Sequence, residues 1–204
     1  MCEGLICLLT AGFLAQAAPL DRAAAGHEIA AQFQELSLPV PTVRRVIVCH
    51  GFACKYRTLI HFGAGDHAAL QRLMAPPAAS PERERAAVAK AVAWFGRRIA
   101  PEAGTAGAKA RAGPLSSGDP SQFDCVEAAL NTTSLLLMLE DLRLLRHHRV
   151  EPTASRWRPL DLEVHTTAVL SEARSGRKWA FDAWVRNSGE VPDVRPLDDW
   201  YRGN

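Results

Sequence analysis

The stretch QFDCVEAALNTTSLLL, residues 122–137, places one cysteine, Cys125, at the start of a long apolar run. Asp124 and Glu127 have the spacing of a capping box, in which the side chain at each end of the first helical turn accepts a backbone N–H at the other end. The pattern therefore predicts a helix over 124–146 with Cys125 in its first turn. A helix N-terminus is the positive end of the helix dipole, and it favours a thiolate.

Ser121 is the alternative cap, and it would also leave Cys125 in the first turn. A single thiol does not establish chemistry, because most buried cysteines only fill space. A nucleophilic cysteine needs a base from elsewhere in the chain, and the base needs a group that orients it.

The 204-residue chain has the composition of a globular protein, 48% hydrophobic and 23% charged. Its 24 basic and 22 acidic residues nearly balance, and the arginines are scattered. We therefore expect no nucleic acid and no anionic membrane surface as the main partner. The sequence has no internal repeat and no second core, so we predict a single domain over residues 19–204 that is a monomer.

Residues 1–18 contain an apolar stretch that stops before Pro19 and is too short to span a bilayer. Ala15-Gln16-Ala17 has the small-x-small form that a signal peptidase requires, although the segment before the stretch carries Glu3 and no Lys or Arg. We predict that residues 1–18 are a signal peptide. The mature chain is then expected in the periplasm or outside the cell, with no integral membrane segment.

The predicted mature chain keeps three cysteines, Cys49, Cys54 and Cys125. A disulfide between Cys49 and Cys54 is the first interpretation of CHGFAC, since an oxidising compartment favours disulfides. Free thiols come second. A zinc site comes last, because the nearby histidines are irregularly spaced. Cys125 is the odd cysteine and the candidate reactive thiol.

Periodicity and turn residues divide the rest of the chain into elements. His147 and His148 are expected as polar residues at the C-terminal end of the long helix. We expect helices over 21–36, 65–74, 82–100 and 124–146, strands over 43–51 and 56–63, a loop over 101–120, a strand hairpin over 162–185 and a turn-rich surface tail after it.

The hairpin holds two residues that suit a base and its orienting acid. His165 lies within its first strand, and Asp182 lies in the apolar second strand, where an unpaired carboxylate is costly. A two-residue turn would set Asp182 opposite Val169. We favour a four-residue loop, 172–175, which sets Asp182 opposite His165 with Cβ atoms about 4.5–5.5 Å apart. That span lets a carboxylate orient an imidazole.

In this order Cys125, His165 and the aspartate of WAFD, residues 179–182, resemble the catalytic residues of the transglutaminase-like superfamily of papain-type thiol enzymes. Their separations are similar to those of the bacterial transglutaminase-like cysteine proteinases. The resemblance covers residues 82–185, about half of the chain. It implies an α+β fold in which the helix carrying the cysteine packs on an antiparallel sheet.

The same resemblance implies a triad: the Cys125 thiolate attacks a peptide or isopeptide carbonyl, His165 moves the proton, and Asp182 orients His165. In the proteinases the acids beside the cysteine are linked with calcium. Val126 stands where the second acid is usual, which argues against calcium, and no metal or other cofactor is predicted.

An oxyanion hole would combine the backbone N–H of Cys125 with one side-chain donor. Gln122 is the best-placed amide for that role, with an ordinary exposed loop glutamine as the alternative.

The expected function is that of a cysteine peptidase or amidase acting on a protein or peptide in the cell envelope. Two alternatives remain. An acyl transferase would use the same triad with an amine as acceptor. A binding module would keep His165 and Asp182 as a polar pair within the sheet and have no catalysis.

Overall fold

The computed structural model of the protein describes residues 22–158 and 163–203, and the predicted signal peptide lies outside them. The described residues form five α-helices, one short 3-10 helix at Pro114–Ser116 and two antiparallel sheets, which confirms the α+β class. The helices are α1 (Arg22–Glu35), α2 (Ala64–Leu73), α3 (Pro81–Ala103), α4 (Cys125–Asp141) and α5 (Leu197–Arg202). The strands are β1 (Arg45–His50), β2 (Tyr56–His61), β3 (His148–Arg158), β4 (Glu163–Glu172), β5 (Lys178–Asp182) and β6 (Asp193–Pro196).

The four-stranded sheet has the order β3-β4-β5-β6, and both of its faces are covered. Helix α4 packs on β3, β4 and β5 and also contacts β1 of the two-stranded sheet. Most of the buried hydrophobic side chains form one main core. A smaller cluster, which includes Val169, Ala180, Leu197 and Trp200, is separate from it. Because α4 carries Cys125 at its first position, the sheet and the thiol are held by the same packing.

Helix α4 begins as predicted and ends earlier. The capping box is confirmed: Asp124 accepts from Glu127 N at 2.8 Å and Glu127 accepts from Asp124 N at 2.9 Å. The helix stops at Asp141, not at 146, and His148 opens β3 as a fully buried residue. The prediction that His147 and His148 end the helix is therefore wrong.

A buried carboxylate explains this difference. Glu84 of α3 accepts from the backbone N–H groups of Arg146 and His147 and from the ring Nδ1 of His148. These contacts draw the segment away from the helix axis and start the strand. They join residues more than 60 positions apart, which local patterns do not report.

Strand β3 was not predicted, because Pro152 and polar neighbours mask it. The strand bulges between Glu151 and Ala154, where its register with β4 shifts. The amide of Gln32 in α1 accepts from Thr153 N at 2.9 Å and donates to Thr153 O at 3.2 Å, so the bulged backbone keeps its hydrogen bonds.

The predicted hairpin exists, but its register is wrong by two residues. Ser171 pairs with Lys178, and Glu172 N donates to Arg177 O at 2.9 Å, which leaves the four residues 173–176 as the connection. His165 is thus not directly opposite Asp182. Side chains alternate faces with a period of two, so this slip leaves both residues on one face of the sheet.

Two further segments differ from expectation. Helix α3 continues through Pro101 to Ala103 and ends at Gly104, which adopts φ 72°. The C-terminal tail contains β6 and α5, with Trp200 almost completely buried, so it is part of the fold and does not merely cover its surface. None of the helices among the described residues has both the length and the apolar character needed to cross a membrane.

Candidate active site

Cys125 is a free, half-buried thiol at the first position of α4. Its Sγ lies 3.5 Å from the carbonyl oxygen of Val164, to which the thiol donates. Val164 directly precedes His165 in β4. The start of the helix therefore meets the strand that carries the predicted base.

His165 and Asp182 form a buried pair. Nε2 of His165 lies 2.5 Å from Oδ2 of Asp182, and both side chains are almost completely inaccessible. A carboxylate only accepts hydrogen bonds, so it fixes the imidazole tautomer with hydrogen on Nε2 and leaves a lone pair on Nδ1. The orienting contact predicted from the sequence is present, although the pair is diagonal across the strands.

Two tryptophans complete the surroundings of this pair. Trp200 Nε1 donates to Asp182 Oδ2 at 2.9 Å, so one carboxylate oxygen holds both an indole and an imidazole. The rings of Trp184 and Trp200 lie 4.9 and 5.3 Å from the His165 ring, centre to centre. They restrict the rotation of the imidazole and keep water from it.

Sequence reasoning missed both tryptophans. Trp184 follows Asp182 by two residues, and its Nε1 donates to Phe123 O at 3.2 Å, which ties the end of β5 to the segment before Cys125. A tryptophan next to a predicted catalytic acid is a usable signal in retrospect. Trp200, in the unpredicted helix α5, gave no such signal.

Asp182 and Cys125 both favour the protonated form of the His165 imidazole. Burial lowers the pKa of His165, but hydrogen bonding to Asp182 and Cys125 and the negative charges of both raise it to about 9. In the uncharged arrangement Nδ1 is buried without a hydrogen-bond partner among the described residues, while the thiol donates to Val164.

Gln122 is buried and held at both ends of its amide. Its Oε1 accepts from Lys109 N at 2.8 Å, and its Nε2 donates to Ser121 Oγ at 3.1 Å. An amide nitrogen carries two hydrogens, so one remains for another acceptor. The alternative of an exposed loop glutamine is excluded by this burial, and its role as an oxyanion donor stays a prediction.

The Cys49–Cys54 disulfide is formed, which confirms the first interpretation of CHGFAC. Its loop lies directly on the start of α4. Phe52, Ala53 and Cys54 all have positive φ, at 71°, 53° and 55°. Successive left-handed residues turn their N–H groups toward one side, and such a concave array binds anions.

The anions bound here are the two acids that flank Cys125. Asp124 Oδ2 accepts from Ala53 N at 2.7 Å, and Glu127 accepts from Phe52 N at 3.1 Å and Cys54 N at 2.8 Å. With the capping-box contacts, all four carboxylate oxygens accept backbone N–H groups. Burial and the nearby Asp124 charge raise the pKa of Glu127 to about 7, although its backbone hydrogen bonds lower it.

No group of three His, Cys, Asp or Glu side chains within 22–158 and 163–203 is arranged to hold a metal ion. An apolar pocket of about 70 Å³ lies between α3, α4 and the segment after β5, with Phe123 and Trp184 in its wall. This pocket is next to the imidazole, since the ring of Trp184 contacts both.

The chain matches no protein-family model, no curated protein and no solved structure at a significant level.

Proposed function

We propose that this protein is a cysteine hydrolase of the transglutaminase-like type, which cleaves a peptide or isopeptide bond with Cys125, His165 and Asp182. One observation carries the proposal: a free thiol at a helix N-terminus lies 3.5 Å from the carbonyl oxygen of Val164, next to His165 in the chain, and the buried His165 imidazole lies 2.5 Å from the buried Asp182 carboxylate. These are the nucleophile, the base and the orienting group of a catalytic triad.

The charge distribution supports this role over that of a polar pair inside a sheet. A structural imidazole would have its remaining nitrogen satisfied by a protein group. Here Nδ1 of His165 has no such partner among the described residues, and the Cys125 thiol raises the pKa of the ring. A raised histidine pKa holds the proton on the ring, so the sulfur keeps its lone pair for attack.

The first half-reaction forms a thioester. The Cys125 sulfur bonds to the carbonyl carbon of the substrate, and the carbonyl electron pair moves to oxygen. The Cys125 backbone N–H at the open start of α4 is placed to bind that oxyanion, and Gln122 is the proposed second donor. When the carbon–nitrogen bond breaks, the Nδ1 proton of His165 passes to the leaving amine.

The second half-reaction releases the acid. Water gives a proton to Nδ1 of His165 and its oxygen bonds to the thioester carbon. The carbon–sulfur bond then breaks, the acid leaves, and the proton and the thiolate return to their starting places. The disulfide between Cys49 and Cys54 supports an oxidising compartment, such as the cell envelope, as the place of this reaction.

The test is the alkylation rate of Cys125 by iodoacetamide from pH 5 to 9, followed by mass spectrometry of its peptide. Wild-type Cys125 is expected to react at pH 6 faster than the same cysteine in the urea-unfolded chain. His165→Ala should reduce that rate roughly 10- to 100-fold at pH 6 and much less at pH 9, because an ordinary thiol is ionised only at high pH.

Acylation tests the chemistry itself. A p-nitrophenyl ester should leave its acyl group on Cys125, and Cys125→Ala should carry none. If folded wild-type Cys125 reacts no faster than the unfolded chain and takes no acyl group, the hydrolase proposal is wrong and the binding module is the better interpretation.

A further inference from the structure

We propose that the disulfide loop, residues 49–54, is a positioning element for the Cys125 nucleophile and that Glu127 is the residue that couples the two. The inference rests on the proposed function, because positioning matters only if Cys125 reacts. It gives the disulfide a role in the chemistry of the site in addition to its contribution to stability.

The contacts join the loop to α4 at two levels one turn apart. At the first turn Glu127 accepts from the N–H groups of Phe52 and Cys54. Further along the helix, Asn131 accepts from Cys49 N at 3.0 Å and donates to Cys49 O at 2.8 Å. Both cysteines of the disulfide are thus bonded through their backbones to the helix that begins with Cys125.

The loop conformation needs the covalent link. Phe52, Ala53 and Cys54 are three consecutive L-residues with positive φ, a backbone conformation that is unfavourable for residues with a Cβ atom. The disulfide links residues 49 and 54 across the turn between β1 and β2 and so restricts this segment. Without the link, the loop is expected to relax and its three N–H groups to leave the two carboxylates.

The electrostatic consequence falls on the thiol. Asp124 puts a carboxylate directly before Cys125, and its charge opposes a thiolate where no N–H group offsets it. The pKa of Glu127 is raised to about 7, so at pH 6 Glu127 is mostly uncharged and acts on the thiol through the loop that it holds. The loop N–H groups offset the Asp124 charge. When they are lost, the thiolate becomes less favourable and the start of α4, with Cys125 on it, is less firmly held beside His165.

The experiment compares three variants in the alkylation assay described above, with thermal unfolding measured in parallel. Cys49→Ser/Cys54→Ser removes the covalent link. Glu127→Gln keeps the link but replaces one acceptor oxygen with an N–H₂ group facing an N–H donor. Both should lower the Cys125 alkylation rate at pH 6 at least 5-fold and move the midpoint of the rate-against-pH curve upward.

The matched control is Glu84→Gln. Glu84 is also a buried acid that accepts two backbone N–H groups and one ring nitrogen, but its partners lie at the start of β3. This variant should lose stability while its alkylation curve keeps the wild-type midpoint. A shift of the midpoint in Glu84→Gln equal to that in Glu127→Gln would mean that general destabilisation, and not positioning, controls the thiol.

Rescue by glycine tests the role of the loop conformation. Adding Ala53→Gly to the Cys49→Ser/Cys54→Ser variant removes part of the left-handed strain, so alkylation at pH 6 should recover at least 2-fold. If the serine variants do not fold, Glu127→Gln with the intact disulfide decides the question alone. Wild-type reactivity in Glu127→Gln, with an accelerated thiol in the wild type, overturns this inference and leaves the proposed function standing.

Discussion

A buried glutamate accepts hydrogen bonds at each end of α4, and the two glutamates differ in the charged and polar groups around them. Glu127 is 0% exposed at the first turn, and Glu84 of α3 is 1% exposed at the connection that follows the helix. Each accepts three N–H donors. The Cys125 thiol lies at the first of these two ends.

The pKa values of the two carboxyls move in opposite directions. For Glu84, burial raises the pKa, but the hydrogen bonds from His148, Arg146 and His147 and the interaction with His148 have the larger effect, so the pKa is lowered overall. For Glu127, burial and the Asp124 charge raise the pKa to about 7. The hydrogen-bond donors around Glu84 favour its charged form, whereas burial and the neighbouring Asp124 charge favour the uncharged form of Glu127.

The largest effect is expected at the structural end. Glu84→Gln replaces a buried carboxylate that accepts from two backbone N–H groups and from His148 Nδ1, and each buried donor left unsatisfied costs about 1–3 kcal/mol. Thermal and urea unfolding at pH 7 measure the loss. The control is Glu82→Gln, since Glu82 is an acid of the same helix whose side chain is 71% exposed, and this variant should leave stability nearly unchanged. Equal losses of stability in the two variants would mean that the buried contacts of Glu84 do not stabilise this end of α4 more than an exposed acid does.

The contrast also explains what the sequence could predict. The capping box of Asp124 and Glu127 lies within four residues, and the order of Cys125, His165 and Asp182 follows from local strand and helix patterns. The sequence could therefore predict three features: the start of α4, the disulfide, and the shared face of His165 and Asp182. The prediction that the two side chains share a face was correct despite the wrong register, because a slip of two residues keeps each side chain on the same face of the sheet.

The elements that were missed depend on partners far away in the chain. The position where α4 gives way to β3 depends on Glu84, more than 60 residues earlier, and the bulge of β3 depends on Gln32, 121 residues from Thr153. Trp200 contacts Asp182 from a helix whose six residues carry little periodic signal. A sequence pattern reports residues that are close along the chain, whereas these contacts join residues that are far apart in it.

A second prediction separates the two glutamates by pH. The folded-state pKa of Glu127 is raised from 4.5 to about 7, so its contribution to stability is full below pH 4.5 and is lost as pH rises to about 7. The loss is on the order of 3 kcal/mol. Glu127→Gln cannot ionise, so urea unfolding from pH 4.5 to 8 should show a deficit against the wild type that narrows by about that amount.

Glu84 provides the opposite sign in the same experiment. Its pKa is lowered, so its contribution is present above pH 4.5 and is lost as pH falls below that value. The difference between wild type and Glu84→Gln should therefore shrink toward acid, where the wild type loses the pair. Deficits that run parallel with pH in both variants would show that the charge of neither carboxylate matters.

The smallest effect concerns the thiol end itself and is measured as a titration. The pKa of His165 is raised to about 9 partly by Cys125, so the imidazole signal in NMR should titrate near that value in the wild type. Cys125→Ala removes the sulfur and leaves Asp182 in place, and it should lower the midpoint by about one unit, which corresponds to about 1.4 kcal/mol. A His165 midpoint that is the same with and without the thiol would mean that the sulfur and the imidazole do not share a proton. The Cys125 end of α4 would then have only a structural role, like the end beside Glu84.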